Sequence, residues 1–330
     1  MKMGLQRGIV IGVATSAMLM FFAGHVRAQA DDYPSRPIKL IVPFPPGGGN
    51  DNVARPIAAK VGELLGQTLI IENKPGAGTM IGAEAAARSA PDGYTLFLGS
   101  IGSHAVSPTL YKNVPYDPVK DFEPVTLLAT APNILVTSPQ SKFSTLAQFV
   151  AAAKAAPGKY TYASPGVGTP AHLAAEIFKK QAGIDILHVP YKGGANYIPD
   201  VIAGRVDVVF DTTTSSLPFV DDGQMRALAI SRSERLPEIP DVPTFAQAGY
   251  PQYRTGSWYG ILVPAKTPRA IVERLNAAFR EALQDPATAQ RLRTLGADPA
   301  GDTPQEFAAF INGELAKYGQ VIKDNGITAE

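Results

Sequence analysis

One local unit recurs along this chain: a short run rich in Ile and Val, a turn rich in Gly or Ser, and then a helical pattern. That order is α/β grammar, and its short links favour parallel strands joined by crossover helices. Residues 38–42, 68–72 and 95–99 read as a first set of strands, with helices starting near Asn50 and Met80. Residues 134–137, 160–163, 186–190, 206–210 and 227–230 read as a second sheet, with a helix over 145–156. The stretch 121–132 reads as a first crossing and the proline-rich 231–254 as the return, so the chain is expected to form two lobes that are not in simple tandem. Lobe 1 takes residues 31–130 and 255–330, and lobe 2 takes 131–254. Two helices close the chain. Thr267-Pro268 offers an N-cap and a first-turn proline before Val272, Leu275, Phe279 and Leu283. Thr303-Pro304-Gln305-Glu306 fits a capping box ahead of Phe307, Phe310, Ile311 and Leu315.

The first thirty residues stand apart from this pattern. Lys2 and Arg7 precede an uncharged apolar run over 8–24, and Ala28-Gln29-Ala30 supplies the small residues a signal peptidase accepts. An export leader cleaved after Ala30 is expected, in preference to a membrane anchor, because Gly, Thr and Ser interrupt the run. Cleavage leaves 300 residues beginning at Asp31, none in a stretch of the roughly 18 apolar residues that a membrane span needs. Without Lys2, Arg7 and Arg27 the balance of 30 basic and 29 acidic residues becomes 27 and 29, and no basic stripe is present to attract a nucleic acid. Cysteine is absent, which removes disulfides, thiolate metal sites and a cysteine nucleophile together. Stability must come from apolar burial, and a chain with 45% hydrophobic residues has enough for two domains of this size.

The chemistry is concentrated in the turns. Pro43-Phe44-Pro45-Pro46-Gly47-Gly48-Gly49-Asn50-Asp51 lies between a strand and a helix start. Its glycines leave backbone N–H groups bare, and the helix dipole adds partial positive charge, so the loop can hold an anion without a cationic side chain. The plainer reading is a tight turn capped by Asn50. Ser164-Pro165-Gly166-Val167-Gly168-Thr169-Pro170 repeats the arrangement and matches G-x-G-x-x-A. The acid expected to close the next strand of a dinucleotide site is missing, since that strand ends in His188-Val189-Pro190-Tyr191. Two further loops, 99–104 with Ser100, Ser103 and His104, and 211–215 with Asp211, end on the same strand edges, where open α/β sheets bind ligands.

Catalytic and metal arrangements are poorly represented. His104, His172 and His188 lack i, i+4 spacing, and neither G-x-S-x-G nor G-x-x-x-x-G-K-[ST] occurs. Asp51 and Asp211 as an acid/base pair is the remaining catalytic reading. Asp51 is read more simply as a first-turn acid, and Asp211 as a hydrogen-bond acceptor. No catalytic residue, metal ligand or cofactor is therefore expected.

Taken in order, five segments resemble the substrate-binding receptors of tripartite tricarboxylate transporters, the Bug family of periplasmic proteins, over essentially the whole mature chain. They are Pro-Phe-Pro-Pro-Gly-Gly-Gly at 43–49 with Asp51 and Arg55; Glu72-Asn73-Lys74-Pro75-Gly76-Ala77-Gly78 with Ile81-Gly82; Gly166-x-Gly168-Thr169-x-x-His172-Leu173 with Glu176 and Phe178; His188-Val189-Pro190-Tyr191-Lys192-Gly193; and Gly204-x-Val206-Asp207 leading to Asp211. The resemblance implies a two-lobe periplasmic binding protein of the type II, Venus-flytrap kind, each lobe a sheet flanked by helices. It also implies recognition of a carboxylate by main-chain groups, small hydroxyls and water. Three departures bear on the ligand: Asn50 stands where Thr is common, Ser107-Pro108 replaces Asn-Pro, and Gly194-Ala195-Asn196-Tyr197 differs from the usual small-residue and proline pattern.

The expected protein is a monomeric periplasmic receptor that captures a small carboxylate (a di-, tri- or aromatic acid, or an acidic amino acid) and serves a membrane permease. The expected contacts are Phe44, Pro45, Gly47, Gly48, Gly49, Asn50, Ser100, Ser103, His104, Ser164, Gly166, Gly168, Thr169, Tyr191, Tyr197 and Asp211. The competing readings are a periplasmic hydrolase, a nucleotide-dependent oxidoreductase using the loop at Gly166, and the ligand-sensing partner of a signalling receptor.

Overall fold

The computed structural model describes residues 33–193 and 196–328; the expected leader and its cleavage after Ala30 lie outside them. Strands β1 (Ile38–Val42), β2 (Leu69–Asn73) and β3 (Thr95–Ser100) pair in parallel with β1 in the middle. Buried Ile38, Leu40, Ile41 and Val42 show why β1 reads as an apolar run: helices cover both of its faces. A second parallel set follows, formed by β5 (Thr161–Ser164), β6 (Leu187–Pro190) and β7 (Val208–Thr212), with β5 in the middle. Strand β8 spans Arg226–Ile230, β9 spans Gly256–Pro264, and β10 is the short pair Asp298–Pro299.

Strand β4, Phe122–Thr137, joins the two sets. Residues 121–132, expected as a crossing link, prove to be mostly strand. β4 pairs with β9 from Phe122 to Pro132, and then with β7 and β8 from Asn133 to Thr137. Pro124 and Pro132 argue against a strand in the sequence, since proline cannot donate to a ladder. Pro124 adjoins a register shift, and Pro132 is the last residue paired with β9, so both fall where the ladder is already interrupted. Strand β9 returns the chain to the first sheet, antiparallel to both β3 and β4. The result is two α/β lobes sharing one long strand.

Among the described residues, the helices of eight residues or more are α1 (Gly49–Leu65), α2 (Met80–Ala87), α3 (Leu146–Ala155), α4 (Pro170–Ala182), α5 (Thr213–Asp221), α6 (Arg269–Gln284), α7 (Pro286–Thr294) and α8 (Pro304–Asn325). Helix α6 buries Val272, Leu275, Phe279 and Leu283 on one face as expected. It begins one residue later than the sequence suggests. Thr267 Oγ1 donates to Pro264 O at 2.7 Å, and Pro268 stays extended at ψ 133°, which makes it the cap instead of the first helical residue. Helix α8 carries the full Thr303–Glu306 capping box, with Phe307 and Ile311 buried and Phe310 and Leu315 half-buried. One core cluster packs around α1 and α6 and a second around β7 and α5; a third, containing Phe97, Trp258, Phe210 and Phe178, runs through the join. No helix among the described residues is long and apolar enough to cross a membrane.

Candidate functional site

The loop after β1 is pinned from beneath. Gly47, at φ +80°, turns the chain so that its N–H donates to Asp51 Oδ2 at 3.0 Å. Arg55 grips both Asp51 oxygens, at 2.7 and 3.0 Å, and Asn73 Nδ2 donates to Asp51 Oδ1 at 3.1 Å and to Phe44 O at 2.9 Å. Burial would raise the Asp51 pKa, but Arg55, the Gly47 N–H and Asn73 bring it below the ordinary carboxylate value. Asp51 is thus a structural anion, and the loop above it is fixed with Gly48 as the N-cap of α1.

The facing wall comes from lobe 2. Strand β7 delivers Asp211 and Thr212 to the start of α5. Asp211 Oδ2 accepts from Tyr197 Oη and from Ser216 Oγ, each at 2.6 Å, while Oδ1 accepts from the Thr212 N–H at 2.8 Å. Burial raises the Asp211 pKa above its ordinary value, and the Ser216 and Tyr197 hydroxyls offset part of that rise. The Tyr197 phenol is pushed well above its usual range by burial and by the same carboxyl.

These walls enclose a cavity of about 50 Å³. Space on that scale holds roughly three to five water molecules, too little for a dinucleotide. Three helix N-termini line it: Gly49 and Asn50 on α1, Pro170 and Ala171 on α4, and Thr212 and Ser215 at α5. Their partial positive charges favour an anion, and the lining residues include no lysine, arginine or histidine. Asn50 Oδ1, Ser100 Oγ, Asn133 Oδ1 and Ser215 Oγ are buried without a hydrogen-bond partner, and all four residues belong to this lining. Buried polar atoms are nearly always satisfied, so four orphans around one small space describe a surface made for a polar guest.

Eight of the sixteen expected contact residues line the cavity: Phe44, Pro45, Gly48, Gly49, Asn50, Ser100, Tyr197 and Asp211. The other eight do not. Gly47 serves the loop turn. Ser103 and His104 bond each other at 2.9 Å, and His104 is fully buried against Phe97, Phe122 and Trp258. Ser164 supports the second loop by bonding Gly166 O and His188 Nε2, and Thr169 Oγ1 donates to Gly166 O. Tyr191 Oη donates to Asp200 at 2.5 Å. Gly166 and Gly168 adopt φ +137° and +73°, and Gly168 lies against the ring of Tyr111 from lobe 1. Tyr111 Oη donates to Val167 O at 3.0 Å, so the glycines of the second loop meet the other lobe, and the loop reaches the cavity only through Pro165 and Pro170.

The remaining lining residues are Asn133, Pro165, Pro170, Ala171, Phe210, Thr212, Ser215 and Ser257. Asn133 had a signal, being a lone amide in an apolar run; Ser257 had none, because only strand pairing brings it here. A larger groove of about 470 Å³ follows the crossings past Thr130, Ser231, Arg254, Trp258 and Tyr318. It gathers none of the loops after β1, β3, β5 and β7, and two of its three cations, Arg232 and Lys317, are paired with Asp298 and Glu314, while Arg254 is exposed. The smaller cavity is therefore the candidate site.

Comparison with known proteins agrees with this geometry. Residues 53–327 match the model of the tripartite tricarboxylate transporter family receptor. Protein BugT of Bordetella pertussis is 38% identical over 299 residues, covering 90% of this chain and 92% of BugT. The structure of R. palustris Rpa4515 with adipate superposes with a TM-score of 0.87 at 36% identity, covering 90% of this chain and 99% of that one. MatC from Rhodopseudomonas palustris with bound malate gives 0.84 at 33% identity, covering 88% and 100%. The two-lobe fold, the cavity between the lobes and the family match lead to one conclusion: the chain belongs to the tripartite tricarboxylate transporter receptors, a family of periplasmic solute-binding receptors and not of enzymes.

Proposed function

We propose that the receptor binds a small carboxylate in the cavity between its lobes and delivers it, after export and removal of residues 1–30, to a membrane permease. The observation that carries this reading is the meeting of three helix N-termini and four unpartnered polar atoms around a space without a cationic side chain. A carboxylate gains roughly 0.3 to 1 kcal/mol from one exposed helix terminus and up to about 2 when partly buried, which makes a positive side chain unnecessary. Adipate in one relative and malate in another belong to the same chemical class. We assign the lobe boundary to the point in β4 where pairing changes from β9 to β7, after Pro132, with the return along 231–255; the shift of pairing partners supports that division.

Affinity requires contacts that exist only when the lobes meet, because a ligand gripping one lobe alone shifts no equilibrium. Phe44 to Asn50 supply one side, and Tyr197, Asp211 and Ser215 the other. Calorimetric titration with mono-, di- and aromatic acids tests the reading. At least one acid is expected to bind at a 1:1 ratio and remain chemically unchanged, and Gly48→Val is expected to abolish that binding. A Cβ at Gly48 meets nothing closer than Pro45 O at 3.9 Å, so the first added carbon fits the lobe, and an unchanged ligand-free melting temperature in the variant shows that only the guest's approach is obstructed. Retained affinity in Gly48→Val, or binding by none of the acids, refutes the proposal.

A further inference from the structure

A carboxylate site has an unusual resident in Asp211. Serine hydroxyls and asparagine amides can either donate or accept, so Ser100, Ser215, Asn50 and Asn133 set no fixed demand on a guest. An ionised carboxylate only accepts, through about four lone-pair positions on its two oxygens. Three are taken: two on Oδ2 by Tyr197 and Ser216, and one on Oδ1 by the Thr212 N–H. Asp211 is 6% exposed and lines the cavity, so the fourth position faces no bulk water; among the described residues the nearby Ser215 hydroxyl, which makes no hydrogen bond of its own but also lowers the carboxyl's pKa, is the one protein donor a guest competes with there.

Three donors hold this side chain as an acceptor, and no lysine, arginine or histidine lies among the cavity-lining residues to balance it. A second carboxylate brought against it meets like-charge repulsion. A hydroxyl or ammonium group brought there completes its hydrogen bonding.

We propose that Asp211 is a specificity-determining residue: the guest presents its carboxylate to the helix N-termini and a hydrogen-bond donor, hydroxyl or ammonium, to Asp211. The preferred class is then hydroxy acids and amino acids over the same acids without the donor. Tyr197 lines the cavity beside Asp211, and its hydroxyl and that of Ser216 fill Asp211 Oδ2, which leaves Oδ1 as the oxygen with spare capacity. The proposal rests on the carboxylate reading of the cavity and narrows it.

The test is calorimetry at pH 7 with acid pairs that differ by one hydroxyl: lactate and propionate, malate and succinate, 3-hydroxyadipate and adipate, 4-hydroxybenzoate and benzoate. In the pair whose length fits, the hydroxy acid is expected to bind at least about tenfold more tightly, the scale for a hydrogen bond to a charged group. In Asp211→Asn, whose amide can itself donate, that ratio is expected to collapse towards one. Tyr197→Phe removes a competing donor, so the preference is expected to persist or grow. Equal affinity within every binding pair overturns the proposal, as does a ratio that survives in Asp211→Asn. If Asp211→Asn fails to fold, the wild-type ratio alone decides. Failure of all eight acids to bind is a separate outcome: it removes the carboxylate reading, and the donor preference falls with it.

Discussion

The loop after β1 and the loop after β5 are assembled from the same parts, a strand end, spaced glycines and a helix start, yet their glycines meet different neighbours. Gly48 and Gly49 line the cavity, whereas Gly168 makes room for the Tyr111 ring of the opposite lobe and Gly166 lies near Tyr191 O. Their supports differ as well. The first loop sits on Asp51, Arg55 and Asn73, where the carboxyl pKa is lowered. The second sits on His172, which accepts weakly from the Gly168 N–H at 3.4 Å, and on His188, bonded to Ser164. Both rings are held neutral, their pKa values lowered chiefly by burial, that of His188 to about 4. Similar local grammar thus sets the glycines against the cavity in one loop and, as a clasp, against Tyr111 of the opposite lobe in the other, and what stands opposite each loop decides which.

The strongest way to break this comparison is Gly49→Ala. A Cβ there falls 2.5 Å from Thr214 Oγ1 and 3.0 Å from Thr212 Oγ1, both on the other lobe. If the ligand-bound lobes meet as they do here, the methyl acts as a wedge between them, an overpacking cost of about 2 to 3 kcal/mol, or roughly 30- to 150-fold in ligand affinity by titration. The ligand-free melting temperature is expected to hold, since alanine suits a helix better than glycine. Wild-type affinity in this variant means that the ligand-bound lobes do not meet as they do here.

Gly168→Ala tests the clasp. Alanine at φ +73° costs about 1 to 2 kcal/mol, and its Cβ meets Tyr111 Oη at 2.7 Å. Affinity is expected to fall roughly tenfold, and adding Tyr111→Ala is expected to restore part of it by removing the clash but not the backbone strain. No recovery in the double variant shows that Gly168 acts through its own loop alone.

Acidification separates the two supports. A group whose folded pKa lies below its unfolded value of about 6.5 binds fewer protons folded than unfolded in between, so its stabilisation is complete above pH 6.5 and is lost as pH falls towards 4. The groups facing His188 include His172, Glu176, Lys179 and the stacked Tyr162 ring. The melting temperature is expected to drop from pH 7 to pH 5 and to drop less in His188→Gln. The lowered Asp51 contributes its loss only below about pH 4, so an unchanged slope in His188→Gln assigns the pH 5 to 7 loss to other groups. Tyr111→Phe is the smallest effect. It deletes one half-buried hydrogen bond across the lobes, about 1 kcal/mol, and is expected to speed ligand release about fivefold in stopped-flow measurements.

Much of this was legible in the chain because it depends on neighbours within a few residues. The order of strand, glycine turn and helix, the Thr303–Glu306 box and the apolar stripe of α6 are set by backbone geometry and side-chain periodicity. The five family segments belong to the same local level, and with them the receptor class. Three matters were decided only by the tertiary structure. Residues 121–132 became strand because β9, more than a hundred residues later, pairs with them. Ser257 reached the cavity through the same pairing, and Asn133 through the pairing of β4 with β7. The second glycine loop became a clasp because Tyr111 lies 56 residues before its Val167 partner in sequence and 3.0 Å from it in space. A sequence states which backbone turns are permitted; which surfaces those turns face depends on how distant segments pack, and local patterns carry no record of that.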